Sequence, residues 1–416
     1  MTPDSDSRSA AGNHGLAALR FSQYVIFLIG KLLAYSSHHM VVVAVGYQIY
    51  DITGDAMTLA YISLVLVCPT FFFALVTGYA SDRIDRRTVL IGGYAGLALA
   101  SGALWLISGL DLITSWWVYV ALVINGTARA FLSPAVSAII PNLVPREVFA
   151  NAVSWNTVTT RATQIGGPAL GGIIYLWGPE AVYATATIAC LAGTLGCLWL
   201  AVRRPEPSGK PAGLGELLAG VVYVYRSKVI LGVIIVDLII ILTASITAVL
   251  PIIAKDVLEV GPTGAGILRS AIALGGLSAA LIMTRYPITR HAGQVMFIAA
   301  VVLALTTVAI GFSTSFLLSI VLMAIVGMAD MINVNIRHTL VQIATPDNMR
   351  GRVTAVAMVA ASSSTELGGF RAGALAAVMG IVPSIVVGGV VGLVLVALCW
   401  KLFPELARIQ RYDRLD

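Results

Sequence analysis

Long apolar runs alternate with short polar connections along this chain. Crossing about 30 Å of hydrocarbon at 1.5 Å per residue takes about 20 apolar residues. Twelve runs of that length can be placed, at 20–48, 56–80, 88–109, 115–141, 149–176, 180–202, 220–250, 262–285, 292–312, 315–338, 351–378 and 381–403. Each reads as a membrane-spanning helix, because a segment surrounded by lipid must satisfy its backbone internally. Residues 1–18 are polar and rich in Ser, Gly and Ala. The first apolar run is too long for a signal peptide and lacks a small-residue cleavage site, so no leader is expected to be removed.

Composition agrees with the pattern. Of 416 residues, 58% are hydrophobic and 11% charged, where a soluble domain carries about 25% charged residues. With a mean hydropathy of +0.91, a water-soluble fold would lack the polar residues to cover its surface. This excludes a soluble enzyme and makes the chain a polytopic membrane protein. Cys68, Cys190, Cys197 and Cys399 all lie inside apolar runs, which leaves no disulfide framework and no zinc-ligand spacing.

The net charge of +6 matters less than where Lys and Arg fall, since they accumulate in cytoplasmic loops. When alternate loops are assigned to opposite sides, 20 of the 26 basic residues fall on one side, among them Arg83, Arg86, Arg87, Arg146, Arg203, Arg204, Arg285, Arg337, Arg350 and Arg352. The opposite side carries only Lys255, with Asp51, Asp55, Asp111, Glu180, Asp256 and Glu259. Both termini are therefore expected in the cytoplasm of a bacterial inner membrane, which requires an even number of spans.

The longest polar connection, Arg203 to Glu216 with its three prolines, divides the chain. The expected organisation is a cytoplasmic tail (1–19), a six-helix bundle (20–202), a linker (203–219), a second six-helix bundle (220–403) and a short cytoplasmic tail (404–416). The halves echo each other: PREVFANAVSWNTVTTRATQIGGPALGG from Pro145 returns as PDNMRGRVTAVAMVAASSSTELGGFRAG from Pro346. The same offset sets Arg129 of span four opposite Asp330 of span ten. Parallel repeats related by an axis along the membrane normal, with a site near the midplane, describe a large class of secondary transporters.

Between spans two and three runs Gly78-Tyr79-Ala80-Ser81-Asp82-Arg83-Ile84-Asp85-Arg86-Arg87. It resembles the loop signature of the major facilitator superfamily. The resemblance implies a conformational latch formed by Gly78, Asp82, Arg83, Asp85, Arg86 and Arg87, which governs switching and touches no substrate. Span five carries Gly166-Gly167-Pro168-Ala169-Leu170-Gly171-Gly172, resembling the antiporter motif of exporters in that superfamily through Gly167, Pro168, Gly171 and Gly172, with Thr163 where a further glycine is the rule. Small residues let helices approach closely, and the proline removes a backbone hydrogen bond. Longer stretches, among them Arg129-Ala130-Phe131-Leu132-Ser133-Pro134-Ala135, Thr345-Pro346-Asp347, Arg350-Gly351-Arg352-Val353 and Glu366-Leu367-Gly368-Gly369-Phe370, are similar to the branch containing the enterobactin exporter and related drug and siderophore efflux proteins. The first span departs from that branch, with Ser37-His38-His39-Met40 where a small residue and often an acid stand.

An ionisable group inside the bilayer costs about 2.5–3.5 kcal/mol on insertion scales, so each one marks a functional hypothesis. Lys31, Arg129, Arg161, Arg269 and Arg371 are basic; Asp237, Asp330 and Glu366 are acidic. Lys31, Tyr35 and His38 fall on one stripe of span one, Asn125, Arg129 and Ser133 on span four, Asp330, Asn333 and Arg337 on span ten, and Ser362, Ser363 and Glu366 on span eleven, with Gln164 aligned on span five. Arg269 lies near the end of its span and snorkels to the interface. The expected substrate cavity takes Lys31, Tyr35, His38, Asn125, Arg129, Arg161, Gln164, Asn333 and Arg371. Its surplus of positive charge favours anionic or electron-rich cargo. The structural alternative is mutual pairing, Arg129 with Asp330 or Glu366 and Lys31 with Asp237. Glu366 and Asp330 are the leading proton-coupling candidates, followed by Asp237 and His38, because a carboxylate's affinity for a proton changes as it gains or loses a cationic neighbour.

His38, His39 and Met40, with Met323, Met328 and Met331 on span ten, admit a metal-ion or metal-chelate transporter as an alternative, but adjacent histidines diverge by about 100° on a helix. A sensor that moves nothing is the rival from another class. No nucleotide-binding loop is present and no nucleophile, base and acid set is recognisable. The expectation is an all-α major facilitator fold of twelve spans, needing no cofactor and no nucleic-acid partner. It works as a monomer in the lipid bilayer and exports a small amphipathic molecule, drug-like or siderophore-like, against protons by alternating access.

Overall fold

The computed structural model describes residues 16–201, 214–288 and 290–409; of these, the side chains at 70, 71, 74–83, 214–218, 347 and 348 lie outside the description. The described residues are helical almost throughout and contain no β-strand. The principal helices are α1 (Ser22–Thr53), α2 (Ala56–Arg83), α3 (Arg86–Gly109), α4 (Ser115–Leu143), α5 (Phe149–Ile174), α6 (Pro179–Leu198), α7 (Leu214–Arg226), α8 (Lys228–Ala244), α9 (Gly261–Arg285), α10 (Ala292–Gly311), α11 (Phe316–Ile343), α12 (Asp347–Met379) and α13 (Ile381–Leu402). Among the described residues, nine helical segments are long and apolar enough to cross a membrane: α1, α3, α4, α6, the stretch Lys228–Val257 that begins with α8, α9, α10, α11 and α13. In α2 the apolar part is the shorter Ala56–Pro69, while α5 and α12 carry more Ser, Thr, Asn and Arg than their neighbours.

Local chemistry sets the helix boundaries. The Asp85 side chain accepts the Arg87 N–H at 3.0 Å and starts α3, as an N-cap should. The turns into α6 and α13 use glycine with positive φ, Gly178 at +96° and Gly380 at +88°. Only glycine adopts such angles without strain, and the two turns are separated by nearly the same offset as the repeated segments.

By contact the chain forms two compact units: residues 16–42, 68–167 and 177–201, and residues 43–67, 168–176 and 214–409. Helices α1, α2 and α5 thus contribute residues to both. Within the first unit α3 packs along α6 and α4; within the second α10 packs along α13 and α11, so the pairing of the third helix of the repeat with its sixth and fourth recurs. Helices α9 and α11 also approach closely. A Cβ on Gly275 would lie 1.9 Å from the Ala324 carbonyl oxygen, and one on Gly327 would lie 1.8 Å from that of Ile272. Only glycine permits backbones this near.

The seventh apolar run, expected as one span over 220–250, is broken. It comprises α7, a bend at Ser227, α8 ending at Ala244, a 3-10 turn at Thr247–Val249, one turn at Leu250–Ile252 and a π turn at Ile253–Val257. Apart from Lys228, Asp237 and Thr243 the α8 stretch is apolar; the break at Ser245 and Ile246 is held from α12. Arg371 donates from Nε to the Leu242 carbonyl at 2.9 Å and from a terminal nitrogen to the Ser245 carbonyl at 3.4 Å. A guanidinium at a helix C-terminus satisfies the last carbonyls and opposes the negative end of the helix dipole.

Candidate functional site

Within the first unit, α1 presents Lys31, Tyr35 and His38 on one stripe. Lys31 is 1% exposed, yet its ammonium meets three oxygens: the Asn156 carbonyl at 2.9 Å, Asn156 Oδ1 at 2.6 Å and Thr160 Oγ1 at 2.6 Å. Three donors have three acceptors. The charge also sits 5.6 Å from the Tyr35 ring centroid, a favourable cation–π position. Two turns along, His38 Nδ1 shares a 2.9 Å hydrogen bond with Asn125 Oδ1, joining α1 to α4. On α5, Arg161 donates to Gln164 Oε1 at 2.9 Å. Arg129 and Ser133, one and two turns beyond Asn125 on α4, are exposed, and Arg129 takes no part in the described ion pairs.

The second unit pairs its buried charges differently. Arg337 of α11 donates to Asp237 Oδ2 of α8 at 2.7 Å, with both residues almost fully buried. Lys31 thus takes neutral oxygens instead of Asp237, which corrects that expected pairing, and Arg337, counted with the cytoplasmic arginines but also placed on the polar stripe of span ten with Asp330 and Asn333, is an interior residue. Beside the pair lies a cavity of about 300 Å³. Its walls include Asp330 and Arg337 of α11, Ser362 and Thr365 of α12, and Ser245 and Thr247 from the broken segment. Asn333, one turn before Arg337, is 1% exposed, donates to the Ala329 carbonyl at 3.1 Å and leaves Oδ1 unbonded. Glu366, next to Thr365, is half-buried and is not on this cavity wall. Arg371, a substrate-cavity candidate, caps α8; a Cβ on Gly388 would come 2.6 and 3.0 Å from its two terminal nitrogens.

The two motif regions also find partners. In the loop signature, Gly78, Asp82 and Arg83 lie outside the described side chains, while Arg86 donates to the Ala138 carbonyl at 2.6 Å and Arg87 to the carbonyls of Cys197, at 3.1 Å, and Leu198. These arginines tie the start of α3 to the ends of α4 and α6. In the glycine motif, a Cβ on Gly167 would come 2.7 Å from His39 Cβ. Within the second unit, Gly172 approaches Pro262, Thr263 and Gly266 of α9, where an added Cβ would lie 2.7 Å from the Pro262 oxygen. Thr263 donates to the Gly172 carbonyl at 3.0 Å. At the same end, Lys255 pairs with Asp51 and lies 5.7 Å from the Tyr50 ring centroid, and Tyr50 donates to Asp256.

Asn156 and Thr160 were not singled out in the sequence, because they are two among many polar residues of α5. Among the described residues no group of three His, Cys, Asp or Glu side chains is arranged to hold a metal ion, and His38 spends Nδ1 on Asn125, away from any ligand set with His39 and Met40.

An all-helical membrane chain with paired helical repeats and a buried ion pair has the construction of a secondary transporter, and comparison with known proteins places it. Residues 13–414 match the family described as transmembrane secretion effector, and the chain belongs to that family of the major facilitator superfamily. It is 25% identical over 386 residues to the enterobactin exporter EntS of Citrobacter koseri, covering 92% of each chain. It is 24% identical over 262 residues to macrolide efflux protein A of Streptococcus pyogenes, an alignment spanning 61% of this chain and 64% of that relative. The fold is similar to that of a bacterial homologue of the lysosomal transporter Spinster, with a TM-score of 0.71, 13% identity and coverage of 92% and 96%. It is also similar to a bacterial homologue of the iron transporter ferroportin, with a TM-score of 0.70, 16% identity and coverage of 93% and 98%. The chain is thus a multi-pass membrane transporter with efflux proteins among its relatives.

Proposed function

We propose that this protein is a proton-coupled exporter of a small amphipathic, drug-like or siderophore-like molecule, working by alternating access between two six-helix bundles in a bacterial inner membrane. In this reading α2, α5 and α12 complete twelve spans, and both termini are cytoplasmic. The observation that carries it is the cavity bordered by Asp330 and by Arg337, the partner of Asp237, in a chain aligned over nine-tenths of its length with an exporter. Cavity walls of Ile, Val and Leu with a few hydroxyl and charged groups suit an amphipathic ligand.

Export against protons requires that cargo and proton exclude each other. An ionised Asp330 accepts a hydrogen bond from a cargo hydroxyl or amine; a proton taken up there removes the stronger acceptor and loosens the cargo. Glu366, Asp237 and His38 are the remaining coupling candidates. Gly172 of α5, packed on α9, and the Arg86 and Arg87 ties serve as the surfaces on which helices slide or lock. The test uses inverted membrane vesicles energised by a proton gradient. Accumulation of radiolabelled erythromycin or of a catecholate siderophore, collapsed by nigericin and absent in Asp330→Asn, is the expected result; accumulation indifferent to the gradient refutes coupling.

A further inference from the structure

Arg337 holds a guanidinium whose needs the fold leaves unmet. The side chain is 6% exposed, its one described hydrogen bond runs to Asp237, and its Nε–H is enclosed without an acceptor. A buried donor left unbonded opposes folding, so an interior designed only for stability would supply an oxygen or replace the arginine. The same residue forms part of the cavity wall, on the stripe of α11 that also carries Val326, Asp330 and Val334. Hydroxyl-bearing Ser362 and Thr365 stand across from it on α12.

We infer that Arg337 is a cargo-binding residue, taking an oxygen-rich group of the transported molecule, a carboxylate, phenolate or carbonyl, in the cavity between α8, α11 and α12. The inference rests on the export reading and adds to it the chemical class that this cavity recognises. A guanidinium presents five donors in a planar fork, which suits paired oxygens far better than a single amine or an apolar surface. Asp237 holds one end of the fork and orients the cation; an entering oxygen meets the part of Arg337 that lines the cavity. The hydroxyls of Ser362 and Thr365 complete a lining that favours polyoxygenated cargo over lipophilic cations.

The test is equilibrium binding to the purified protein in nanodiscs of two radiolabelled probes, 2,3-dihydroxybenzoate and tetraphenylphosphonium. Arg337→Lys keeps a positive partner for Asp237 but removes the fork. It should weaken dihydroxybenzoate binding at least tenfold and change tetraphenylphosphonium binding less than twofold. Val334→Phe, which fills the cavity and keeps both charges of the ion pair, should weaken dihydroxybenzoate equally and decides the matter if the arginine variant does not fold. Unchanged dihydroxybenzoate binding in either folded variant, or a wild type that prefers tetraphenylphosphonium, overturns the proposal. Failure of the export reading is seen separately, as vesicle accumulation independent of the proton gradient with Arg337 intact.

Discussion

Two buried cations divide this molecule's polar interior, and they are stabilised in opposite ways. Lys31 gives each of its three donors a neutral oxygen from α5, a closed arrangement that fixes α1 against α5 and offers nothing further. Arg337 is matched to a carboxylate, retains an unbonded N–H and borders a cavity. A fully satisfied network makes one packing unique, whereas the Arg337 guanidinium keeps a donor without an acceptor on a side chain that lines a cavity. Buried charge alone therefore does not mark function; the difference lies in what remains unsatisfied and whether open space adjoins it.

The comparison can be broken at either end. The largest expected effect is at Asp237→Ala, which strands the Arg337 cation and should cost about 3–5 kcal/mol, read as a lowered unfolding temperature in detergent. The double variant Asp237→Asn with Arg337→Gln removes both charges and should recover most of it. Next comes Gly172→Ala, where the added carbon meets the Pro262 oxygen and should cost about 1–3 kcal/mol as overpacking, with transport falling in parallel. Lys31→Met should cost less than Asp237→Ala, about 1–2 kcal/mol, because it removes the charge and leaves only neutral acceptors to resolvate or repack; an effect as large as that of Asp237→Ala would erase the distinction drawn between the sites. Smallest is Gly166→Ala, in the same motif as Gly172 but with open space at its Cβ, which should be neutral or stabilising by up to about 1 kcal/mol through helix propensity. Thermal unfolding of the two glycine variants side by side checks whether the motif's chemistry resides in individual contacts.

Much of the helical framework was legible, because a membrane span announces itself by its own length and apolarity. The stripe of Lys31, Tyr35 and His38 was legible too, since helical spacing alone sets those residues on one face. What the sequence hid lies in long-range pairing. Nothing in the local sequence Leu242-Thr243-Ala244-Ser245-Ile246-Thr247 demands a break; the break depends on Arg371, more than 120 residues away. The partner of Asp237 is 100 residues distant, and helical spacing, which set Arg337 on a stripe with Asp330 and Asn333, could not name it. The acceptors of Lys31 sit on α5 among many similar side chains, and only the approach of two helices selects Asn156 and Thr160 from among them.

The central claim, that a carboxylate in the second unit couples proton movement to cargo export, is most directly tested by substrate-evoked proton flux. Purified protein in liposomes loaded with a pH-sensitive dye is challenged with macrolides, catecholates and dyes, alongside the Asp330→Asn and Glu366→Gln variants. The account predicts a proton signal that depends on a particular cargo and vanishes in Asp330→Asn. A cargo-dependent proton signal that persists in both variants would contradict it.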